Sequence, residues 1–487
     1  MPESRWLALL VLCAGMLMIV LDVTIVNVAL PSIQRDLSMS QSNLAWVVNA
    51  YLIAFGGLLL LAGRLGDLIG RKRMLLRGLV LFTAASVLCG MSWNSGMLIA
   101  ARFVQGAGGA MTSAVILGVI VTLFPEPREQ ARAIGVYTFV AVGGGSIGLV
   151  AGGLLTQALS WHWIFFVNLP IGIAAVALTV RLLESDRGIG LRAGADVAGA
   201  FLVTVSLMLG VYTIVETSEY GWGSARTIGS GAVAAALLVL FVVRQRYAAN
   251  PLLPLGIFRS RNVSGANLVA ALTVSAMFGM FFLLSLYLQR VLGFGPLSIG
   301  LAFLPTALTM GLLSLGISAR LYTQYGARAV LVPSLALIGL GLGLLARAPV
   351  DGAYAANVLP SMVLIGIGSG ISFPALVTLA MSDATESDSG LASGLVNATQ
   401  QVGGALGLAV LATIATSRSA GLLAGGAAQA SALSAGYGLA FGVGAGLVAA
   451  AILLAVTVLR PPPVGEERPV VAVVGLEGAV LGTRQKS

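Results

Sequence analysis

The sequence predicts an all-α polytopic membrane protein with about fourteen transmembrane helices. Three observations support this fold class. The 487 residues are 58% hydrophobic and only 9% charged, with a mean hydropathy of +0.98, whereas soluble domains carry about 25% charged residues. The apolar residues fall into runs of roughly 20, the length that crosses a bilayer as a helix. The basic residues cluster between alternate runs, as the loops on one side of a membrane do.

Each predicted helix is an apolar run bounded by charged residues, proline or glycine. The first run follows Arg5; it is too long for the h-region of a signal peptide and lacks a small-residue cleavage site, so we expect it to be retained. The predicted helices span 6–30, 44–62, 74–92, 97–119, 134–156, 162–183, 195–215, 227–244, 264–288, 296–319, 329–346, 357–380, 391–415 and 437–459.

The distribution of positive charge orients these helices. With the N-terminus in the cytoplasm, most of the 27 Lys and Arg residues fall in predicted cytoplasmic segments, so both termini are predicted to be cytoplasmic. The net charge of +9 is therefore an orientation signal that also suits contact with membrane lipids, and no nucleic-acid partner is expected. One predicted cytoplasmic loop is instead acidic (Asp383, Glu386 and Asp388), which we interpret as a solvated turn before a helix N-terminus.

Two parts of the chain repeat the same pattern. The spacing of Gly135, Gly144 and Gly148 recurs in a later helix, and Arg64, Gly70 and Lys72 are matched by Arg320, Gly326 and Arg328. Internal repeats of this kind are typical of secondary transporters. We therefore predict a six-helix bundle over 1–183, two inserted helices with linkers over 184–260, a second six-helix bundle over 261–460, and a disordered cytoplasmic tail over 461–487.

Asp22 lies inside the first apolar run. A carboxylate there costs about 2.5–3.5 kcal/mol on insertion scales, so it normally has a function or a partner. Arg102 in the fourth predicted helix lies at a similar depth, roughly 8–12 Å below the outer surface, so the two can pair. An arginine favours the ionised carboxylate and apolar surroundings favour the neutral acid, so movement between the two would let Asp22 carry a proton. The alternative is a carboxylate fixed in a structural contact.

Several motifs resemble those of the major facilitator superfamily and, within it, the fourteen-helix drug:proton antiporter family. Residues 21–31 (LDVTIVNVALP) are similar to the motif of helix 1, 63–73 to the motif of loop 2–3, and 102–110 to the R-x-x-Q-G motif of helix 4. Residues 135–153 are similar to the antiporter motif of helix 5, with Leu149 in place of proline, and 161–172 to the start of helix 6, with His162 in place of arginine. The resemblance implies the major facilitator fold.

The resemblance also implies roles for two groups of residues. The loop 2–3 motif implies a conformational latch, formed by Gly63, Asp67, Gly70 and Arg71. We expect Asp67 to face a helix N-terminus and Arg71 to pair with Glu126 or Glu129; the alternative role is a topology anchor. The antiporter motif implies a closely packed helix through Gly135, Gly144, Gly148 and Gly152, which is also what ordinary small-residue packing produces. His162, beside tryptophans, is expected at the outer surface.

The substrate pocket is predicted from polar and aromatic residues on the helices expected to line the central cavity. The candidates are Trp46, Asn49, Gln105, Tyr137, Met277, Phe281, Asn397 and Gln401. Each of them also suits plain helix packing. No metal cluster, Walker A loop or nucleophile–base set is visible, so we expect neither an enzyme nor ATP drive, and no cofactor or metal. Cys13 and Cys89 fall within apolar runs and imply no disulfide.

The favoured function is a proton-coupled antiporter, a monomer that exports amphipathic drugs or antibiotics across the bacterial cytoplasmic membrane by alternating access. Asp22 is the predicted proton carrier and Arg102 the residue that tunes it. The alternative is a dedicated exporter of a lipid, a siderophore or an endogenous metabolite, because such an exporter needs the same machinery. A transport-dead sensor is disfavoured because it would usually carry a signalling domain.

Overall fold

The structure is a computed structural model of the 487-residue protein, and it describes residues 2–184, 186, 188–190, 194–381 and 389–459. The acidic loop of Asp383, Glu386 and Asp388 and the predicted tail at 461–487 lie outside the described residues. Every regular element in the described part of the chain is helical.

Fourteen helical segments account for the predicted fold, and thirteen of the described helices are long and apolar enough to cross a membrane. The helices are α1 Pro2–Asp36, α2 Gln41–Ile69, α3 Arg71–Gly90, α4 Ser95–Leu123, α5 Pro127–Ala158, α6 Trp163–Phe166 with Asn168–Leu182, α7 Val197–Tyr220, α8 Ala225–Tyr247, α9 Arg261–Arg290, α10 Pro296–Leu312 continued through a π-helical turn Leu313–Ile317 into Ser318–Tyr325, α11 Ala327–Leu345, α12 Tyr354–Val358 with Leu359–Met381, α13 Ser389–Ala424 and α14 Gln429–Thr457. The π-helical turn divides α10, which is why its apolar part is short.

Most helices are longer than their apolar runs, because polar residues extend them past the hydrocarbon region. The side chain of Ser40 accepts a hydrogen bond from the backbone N–H of Asn43 and thereby starts α2 at Gln41, three residues before the predicted start. Asn94 starts α4 in the same way, through the N–H of Met97 at 2.8 Å. Hydropathy detects the buried run but not these caps.

The predicted repeat is visible at the cytoplasmic start of two helices. Gly70 (φ +101°) joins α2 to α3 and Gly326 (φ +83°) joins α10 to α11, in a backbone conformation that favours glycine. Just beyond these glycines, Lys72 Nζ donates to the carbonyl of Val180 near the end of α6 at 3.1 Å, and Arg328 Nη2 donates to the carbonyl of Val456 near the end of α14 at 2.6 Å. The same corner therefore occurs in both six-helix units.

The contacts between the two units include three helix pairs. Gly300 of α10 packs against the carbonyl of Leu149 in α5, and Ser285 of α9 donates a 2.7 Å hydrogen bond to the carbonyl of Asn27 in α1. With the N-terminus in the cytoplasm, both contacts lie toward the outer ends of these helices. The third pair is α2 with α13, where Gly56 lies against Gln401 nearer the middle.

The inserted helices α7 and α8 pack beside the α2–α13 pair. Gly57 of α2 lies against Thr204 of α7, and Thr413 of α13 donates to the carbonyl of Ile214 in α7 at 3.3 Å. At the cytoplasmic start of α7, buried Asp196 accepts hydrogen bonds from Arg244 of α8 at 2.5 Å and from its neighbour Gln245 at 2.8 Å. The inserted pair therefore touches both six-helix units.

Candidate proton-coupling site

Asp22 and Arg102 form a buried ion pair in the N-terminal unit. Asp22 is 0% exposed and Arg102 1% exposed, and Arg102 Nη1 lies 2.5 Å from Asp22 Oδ2. Gln105, one turn farther along α4, donates from Nε2 to Asp22 Oδ1 at 2.7 Å and accepts from Arg102 Nη1 at 2.7 Å. Both carboxylate oxygens are thus hydrogen-bonded. The structure brings together the two predicted coupling residues and moves Gln105, predicted for the substrate pocket, into their cluster.

The backbone of α2 completes the surroundings of the guanidinium. Arg102 Nε donates to the carbonyl of Val47 at 3.0 Å, and the ring of Tyr51 lies 4.4 Å from the guanidinium carbon. This approach requires glycine at position 106, because a Cβ there would lie 2.4 Å from the carbonyl oxygen of Tyr51. The R-x-x-Q-G spacing therefore has a physical reason: the glycine brings α2 close enough to hold the arginine.

Two residues that sequence reasoning missed extend the cluster across α3 and α6. Gln105 Nε2 also lies 3.2 Å from Ser86 Oγ, and Asn168 Nδ2 donates to the same oxygen at 3.0 Å. Ser86 in turn donates to the carbonyl of Phe165 at 2.9 Å. Asn168 belongs to the stretch that resembles the start of helix 6 and could have been found there, whereas Ser86 has no sequence signal.

The cluster contains two polar atoms without a partner in the described part of the chain. These are the hydroxyl of Tyr51 and Oδ1 of Asn168, both buried. An unpaired buried polar group costs roughly 1–3 kcal/mol. Each of these two oxygens can therefore gain a hydrogen bond when a proton or a water rearranges the cluster. The arrangement can hold a carboxylate ionised within the hydrocarbon region, and it has the polar groups to rearrange when that charge is lost.

The predicted latch residues lie at the cytoplasmic end of α2 and the start of α3. Asp67 and Arg71 form a half-exposed ion pair at 3.3 Å, and Arg71 Nη1 also donates to the carbonyl of Gly118 in α4 at 2.9 Å. The expectation that Arg71 pairs with Glu126 or Glu129 is wrong in this structure. Asp67 lies in the last turn of α2 and Arg71 begins α3, so the corner at Gly70 brings the two side chains together and the local partner is reached first.

The helix N-terminus at this corner is occupied by a different carboxylate from the one expected. Asp186, in the linker after α6, accepts from the backbone N–H of Arg71 at 2.5 Å and of Lys72 at 3.1 Å. The N–H of Ile189 donates to the carbonyl of Asp67 at 3.0 Å, so the linker runs over the corner. Gly63 lies in ordinary contact distance of Ala114 in α4. The roles of the latch residues remain predictions.

Three of the four predicted antiporter-motif glycines lie against α1. A Cβ at Gly144 would lie 2.8 Å from Leu17, one at Gly148 2.0 Å from Thr24 Oγ1, and one at Gly152 2.8 Å from the carbonyl of Ile25. Gly135 has no atom of another element within 4 Å of such a Cβ, so it takes no part in this contact. Leu149, which stands where the family has proline, is buried, and its carbonyl faces Gly300 of α10.

The remaining substrate-pocket candidates are spread over several helix contacts. Asn49 is fully buried, and neither atom of its amide has a partner among the described residues. Gln401 lies at the α2–α13 contact, and Asn397, one turn before it, is exposed. The other four are a half-buried Trp46, Tyr137 donating to Met16 Sδ at 3.3 Å, Met277 accepting from Ser369 at 3.8 Å, and Phe281 beside Phe303 with ring centroids 5.3 Å apart.

His162 lies at the outer end of the N-terminal unit, as expected. Its ring stacks on Trp161 at 3.8 Å, and Trp161 Nε1 donates to Asp36 at 2.8 Å. Burial lowers the pKa of His162, although nearby Asp36 acts in the opposite direction. The lowered pKa favours the neutral imidazole, and His162 makes no hydrogen bond to the Asp22 cluster among the described residues. Within the described ranges, no three His, Cys, Asp or Glu side chains are placed to hold a metal ion.

Two related six-helix units, an inserted helix pair and a buried ion pair define a polytopic membrane transporter. The chain belongs to the Major Facilitator Superfamily, because the model of that family matches residues 12–408. It is a multi-pass protein of the bacterial cell membrane.

Three of the relatives that share this much sequence are named for resistance or export. The chain is 40% identical to the puromycin resistance protein pur8 of Streptomyces alboniger, over 86% of this chain and 84% of that protein. It is 37% identical to the cephamycin export protein CmcT of Amycolatopsis lactamdurans, over 93% of this chain and 91% of that protein. It is 34% identical to the multidrug resistance protein Stp of Mycobacterium tuberculosis, over 85% of this chain and 76% of that protein.

Solved structures share the fold at low sequence identity. A bacterial homologue of the human lysosomal transporter Spinster, in an inward-facing and unoccupied conformation, superposes with a TM-score of 0.65 at 15% identity, covering 93% of this chain and 98% of that one. The POT family transporter PepTSo gives the same TM-score at 13% identity, with the same coverage. These likenesses concern the fold alone.

Proposed function

We propose that the protein is a proton-coupled antiporter that exports amphipathic drugs or antibiotics from the cytoplasm by alternating access. The observation that carries the proposal is the Asp22–Arg102–Gln105 cluster, sealed inside a unit of the superfamily fold. A transporter that only bound and released its substrate would not need an ion pair within the hydrocarbon region, where charges are costly.

The proton step follows from the geometry of the cluster. While Arg102 and Gln105 hold both carboxylate oxygens, their hydrogen bonds favour the ionised form of Asp22. A shift of α1 relative to α4 that separates Asp22 from Arg102 removes this support and lets Asp22 take up a proton. The guanidinium then keeps the carbonyl of Val47, the ring of Tyr51 and Oε1 of Gln105. Restoring the pair expels the proton on the other side.

The glycines of α5 suit such a shift. Gly148 brings α5 against Thr24 of α1 and Gly152 brings it against Ile25, two and three residues after Asp22. Close helix contacts through small residues allow sliding without a change in packing volume. α5 also contacts α10, through Leu149 and Gly300. A movement of α10 is therefore transmitted through α5 to α1. This route couples the outer contact between the two units to the ion pair.

The outer contacts and the cytoplasmic corner supply the two gates of the proposed cycle. Ser285 with Asn27, and Gly300 with Leu149, hold the units together toward the outside and must separate before substrate leaves. At the cytoplasmic side, the second gate is the predicted latch of Gly63, Asp67, Gly70 and Arg71, to which the structure adds Asp186. Each inward proton releases about 2.3 kcal/mol per 100 mV of membrane potential, so no cofactor is needed to drive export.

The substrate class rests on the relatives and on the composition of the helices. Relatives named for puromycin, methylenomycin and multidrug resistance favour amphipathic antibiotics. One observation favours the alternative, a dedicated exporter of one endogenous compound such as a lipid, a siderophore or a metabolite: a relative matched over 93% of the chain is named for export of cephamycin. Both forms of the proposal use the same proton site.

The test measures proton movement under an imposed pH gradient in proteoliposomes that contain the purified full-length protein. We expect the protein to act as a monomer. A panel of amphipathic antibiotics, dyes and lipids is added, and proton release is followed with a pH-sensitive dye. We expect release on addition of several chemically unrelated compounds. A response to a single compound would favour the dedicated exporter, and substrate movement without any proton release would contradict the antiport mechanism.

A further inference from the structure

A cavity of about 760 Å³ lies on the N-terminal unit, between the cytoplasmic halves of α2 and α3 with α4 as its floor. Its walls are apolar and are formed by Leu58, Leu61, Leu65, Met74, Ala107 and Met111. Gly188 and Gly190 of the linker after α6 lie at its cytoplasmic end, where the N–H of Gly190 donates to the carbonyl of Leu68 at 3.0 Å. The cavity shares no residue with the Asp22 cluster.

Two arginines border this cavity, one helical turn apart on α3. Arg73 and Arg77 are exposed, and neither makes a hydrogen bond or an ion pair with a described residue. Their neighbours Arg71 and Lys72, in contrast, bond to helix carbonyls. Like charges four residues apart on a helix repel each other. An anion bound between the two guanidinium groups would remove that repulsion.

We propose that this cavity binds an anionic phospholipid of the inner leaflet. Its phosphate lies between Arg73 and Arg77, and one acyl chain lies along the apolar wall. The wall from Leu58 to Ile69 is about 16 Å long at 1.5 Å per residue, and the cavity volume falls within the roughly 300–1,000 Å³ of ligand sites. Basic pockets between helices on the cytoplasmic side suit anionic head groups, and arginine pairs well with phosphate.

The position of the cavity favours a resident lipid over cargo in transit. It lies beside the corner of Gly70 and Asp67, where the latch residues are, whereas Asp22 lies toward the outer end of α1. A lipid here would fill the space between α2, α3 and the linker that caps α3 through Asp186. The inference does not depend on the proposed antiport, because it concerns binding and not transport.

The test is native mass spectrometry of the purified full-length protein in a non-ionic detergent, titrated with dioleoylphosphatidylglycerol. Dioleoylphosphatidylcholine has the same chains and no net charge, and glycerol 3-phosphate is the head group without chains. We expect tighter binding of phosphatidylglycerol than of either probe. R73Q/R77Q should weaken phosphatidylglycerol binding about 30-fold, since one arginine near a lipid surface contributes about fivefold.

Two further variants separate a built site from general attraction. R246Q/R259Q removes the same charge from exposed arginines of the cytoplasmic side and should leave phosphatidylglycerol binding unchanged. Ala107→Phe fills the floor of the cavity without changing its charge and should weaken the binding of both lipids. If Ala107→Phe is unstable in lipid-free detergent, Met111→Trp is used in its place. Variants are compared only when their unfolding midpoints in that detergent match the wild type.

Four results would overturn the proposal. Equal loss of phosphatidylglycerol in R246Q/R259Q and R73Q/R77Q would show non-specific attraction, and full binding in the cavity-filling variant would show that the cavity is not the site. Glycerol 3-phosphate bound as tightly as the lipid would indicate a phosphate site without an acyl chain. Displacement of phosphatidylglycerol by a transported compound in wild type but not in Ala107→Phe would assign the cavity to substrate instead.

Discussion

Arg102 Nη1 lies 2.5 Å from Asp22 Oδ2, and both side chains are buried. The two residues come from different helices and are 80 positions apart in the sequence. Their contact is held by Gln105 on the carboxylate side and by the backbone of α2 on the guanidinium side. We expect the two residues to be energetically coupled, and we propose that Asp22 carries the transported proton.

Removing one partner of the pair should be more damaging than removing both charges. Arg102→Gln leaves Asp22 buried without its counter-ion, which costs about 3–5 kcal/mol. Asp22→Asn/Arg102→Gln leaves two neutral amides that can bond to each other, so we expect the unfolding midpoint of the double variant to lie above that of Arg102→Gln. The measurement is thermal unfolding in detergent, analysed as a double-mutant cycle.

The more exposed pair of Glu216 and Arg226, 3.2 Å apart, is the matched control for this cycle. Its coupling should stay below about 1 kcal/mol, because solvent screens exposed charges. Simple additivity of the Asp22 and Arg102 substitutions would mean that the two residues do not stabilise each other.

Gln105 should set the rate of proton release, because it is the second donor to Asp22 and the link to Ser86. Gln105→Leu keeps the size of the side chain and removes these bonds. A hydrogen bond to a charged group contributes about 1.5–3 kcal/mol, so substrate-driven proton release should slow roughly 10- to 100-fold. Gln324→Leu, at an exposed position near the end of α10, is the control and should behave as wild type. Wild-type rates in Gln105→Leu would remove Gln105 from the mechanism.

Asp186 should protect the start of α3 from solvent. Asp186→Ala removes the carboxylate that accepts the N–H groups of Arg71 and Lys72, and loss of such a capping side chain costs about 0.5–2 kcal/mol. We expect the peptide that contains these two residues to exchange its amide hydrogens about 2- to 30-fold faster in hydrogen–deuterium exchange mass spectrometry. Asp351→Asn in an exposed loop should leave that peptide unchanged. Equal exchange in Asp186→Ala and wild type would show that the linker does not hold this corner.

The Asp196 cluster should give the inserted helices a stability that is lost in acid. Burial raises the pKa of Asp196, but hydrogen bonds from Arg244, from the N–H of Gly199 and from Gln245 outweigh it and leave the pKa below its usual value. The pKa of an aspartate in the unfolded chain is about 4. Because the pKa in the folded state is lower, Asp196 stabilises the fold at pH values above about 4, and this stabilisation is lost as the pH falls through the folded-state pKa.

Thermal unfolding in detergent between about pH 3 and pH 8 tests this sign. The wild type should exceed Asp196→Asn by a constant margin above about pH 5, and the margin should shrink below about pH 4. Asp351→Asn should follow the wild type throughout. A margin that grows in acid would mean that burial, and not hydrogen bonding, dominates at Asp196.

The helices and the ion pair were predictable because each leaves a strong physical signal. Hydrocarbon thickness fixes the length of an apolar run, and a lone carboxylate within such a run demands a partner at similar depth, which is how Asp22 leads to Arg102. The ends of helices were not predictable to the same degree, because caps such as Ser40 and Asn94 lie outside the apolar pattern.

Contacts that depend on tertiary packing were missed. Nothing local marks Ser86 as the residue between Gln105 and Asn168. Asp186 reaches α3 only because the linker folds back over the corner at Gly70. Nothing in the sequence marks this contact, so the carboxylates predicted near Arg71 were Glu126 and Glu129 of a different loop. Gln105 was assigned to the substrate pocket because a polar residue on a helix that lines the central cavity can face the cavity or the neighbouring helices, and the sequence does not distinguish the two.

The most direct test of the proposed mechanism is substrate-triggered proton release in proteoliposomes, measured for the wild type beside Asp22→Asn. Asparagine keeps the size of the side chain and still accepts from Arg102, but it cannot carry a proton. We predict that release is abolished in Asp22→Asn, while exchange of labelled substrate at equal concentrations on both sides persists. Proton release that continues at the wild-type rate in Asp22→Asn would contradict the assignment of Asp22 as the proton carrier.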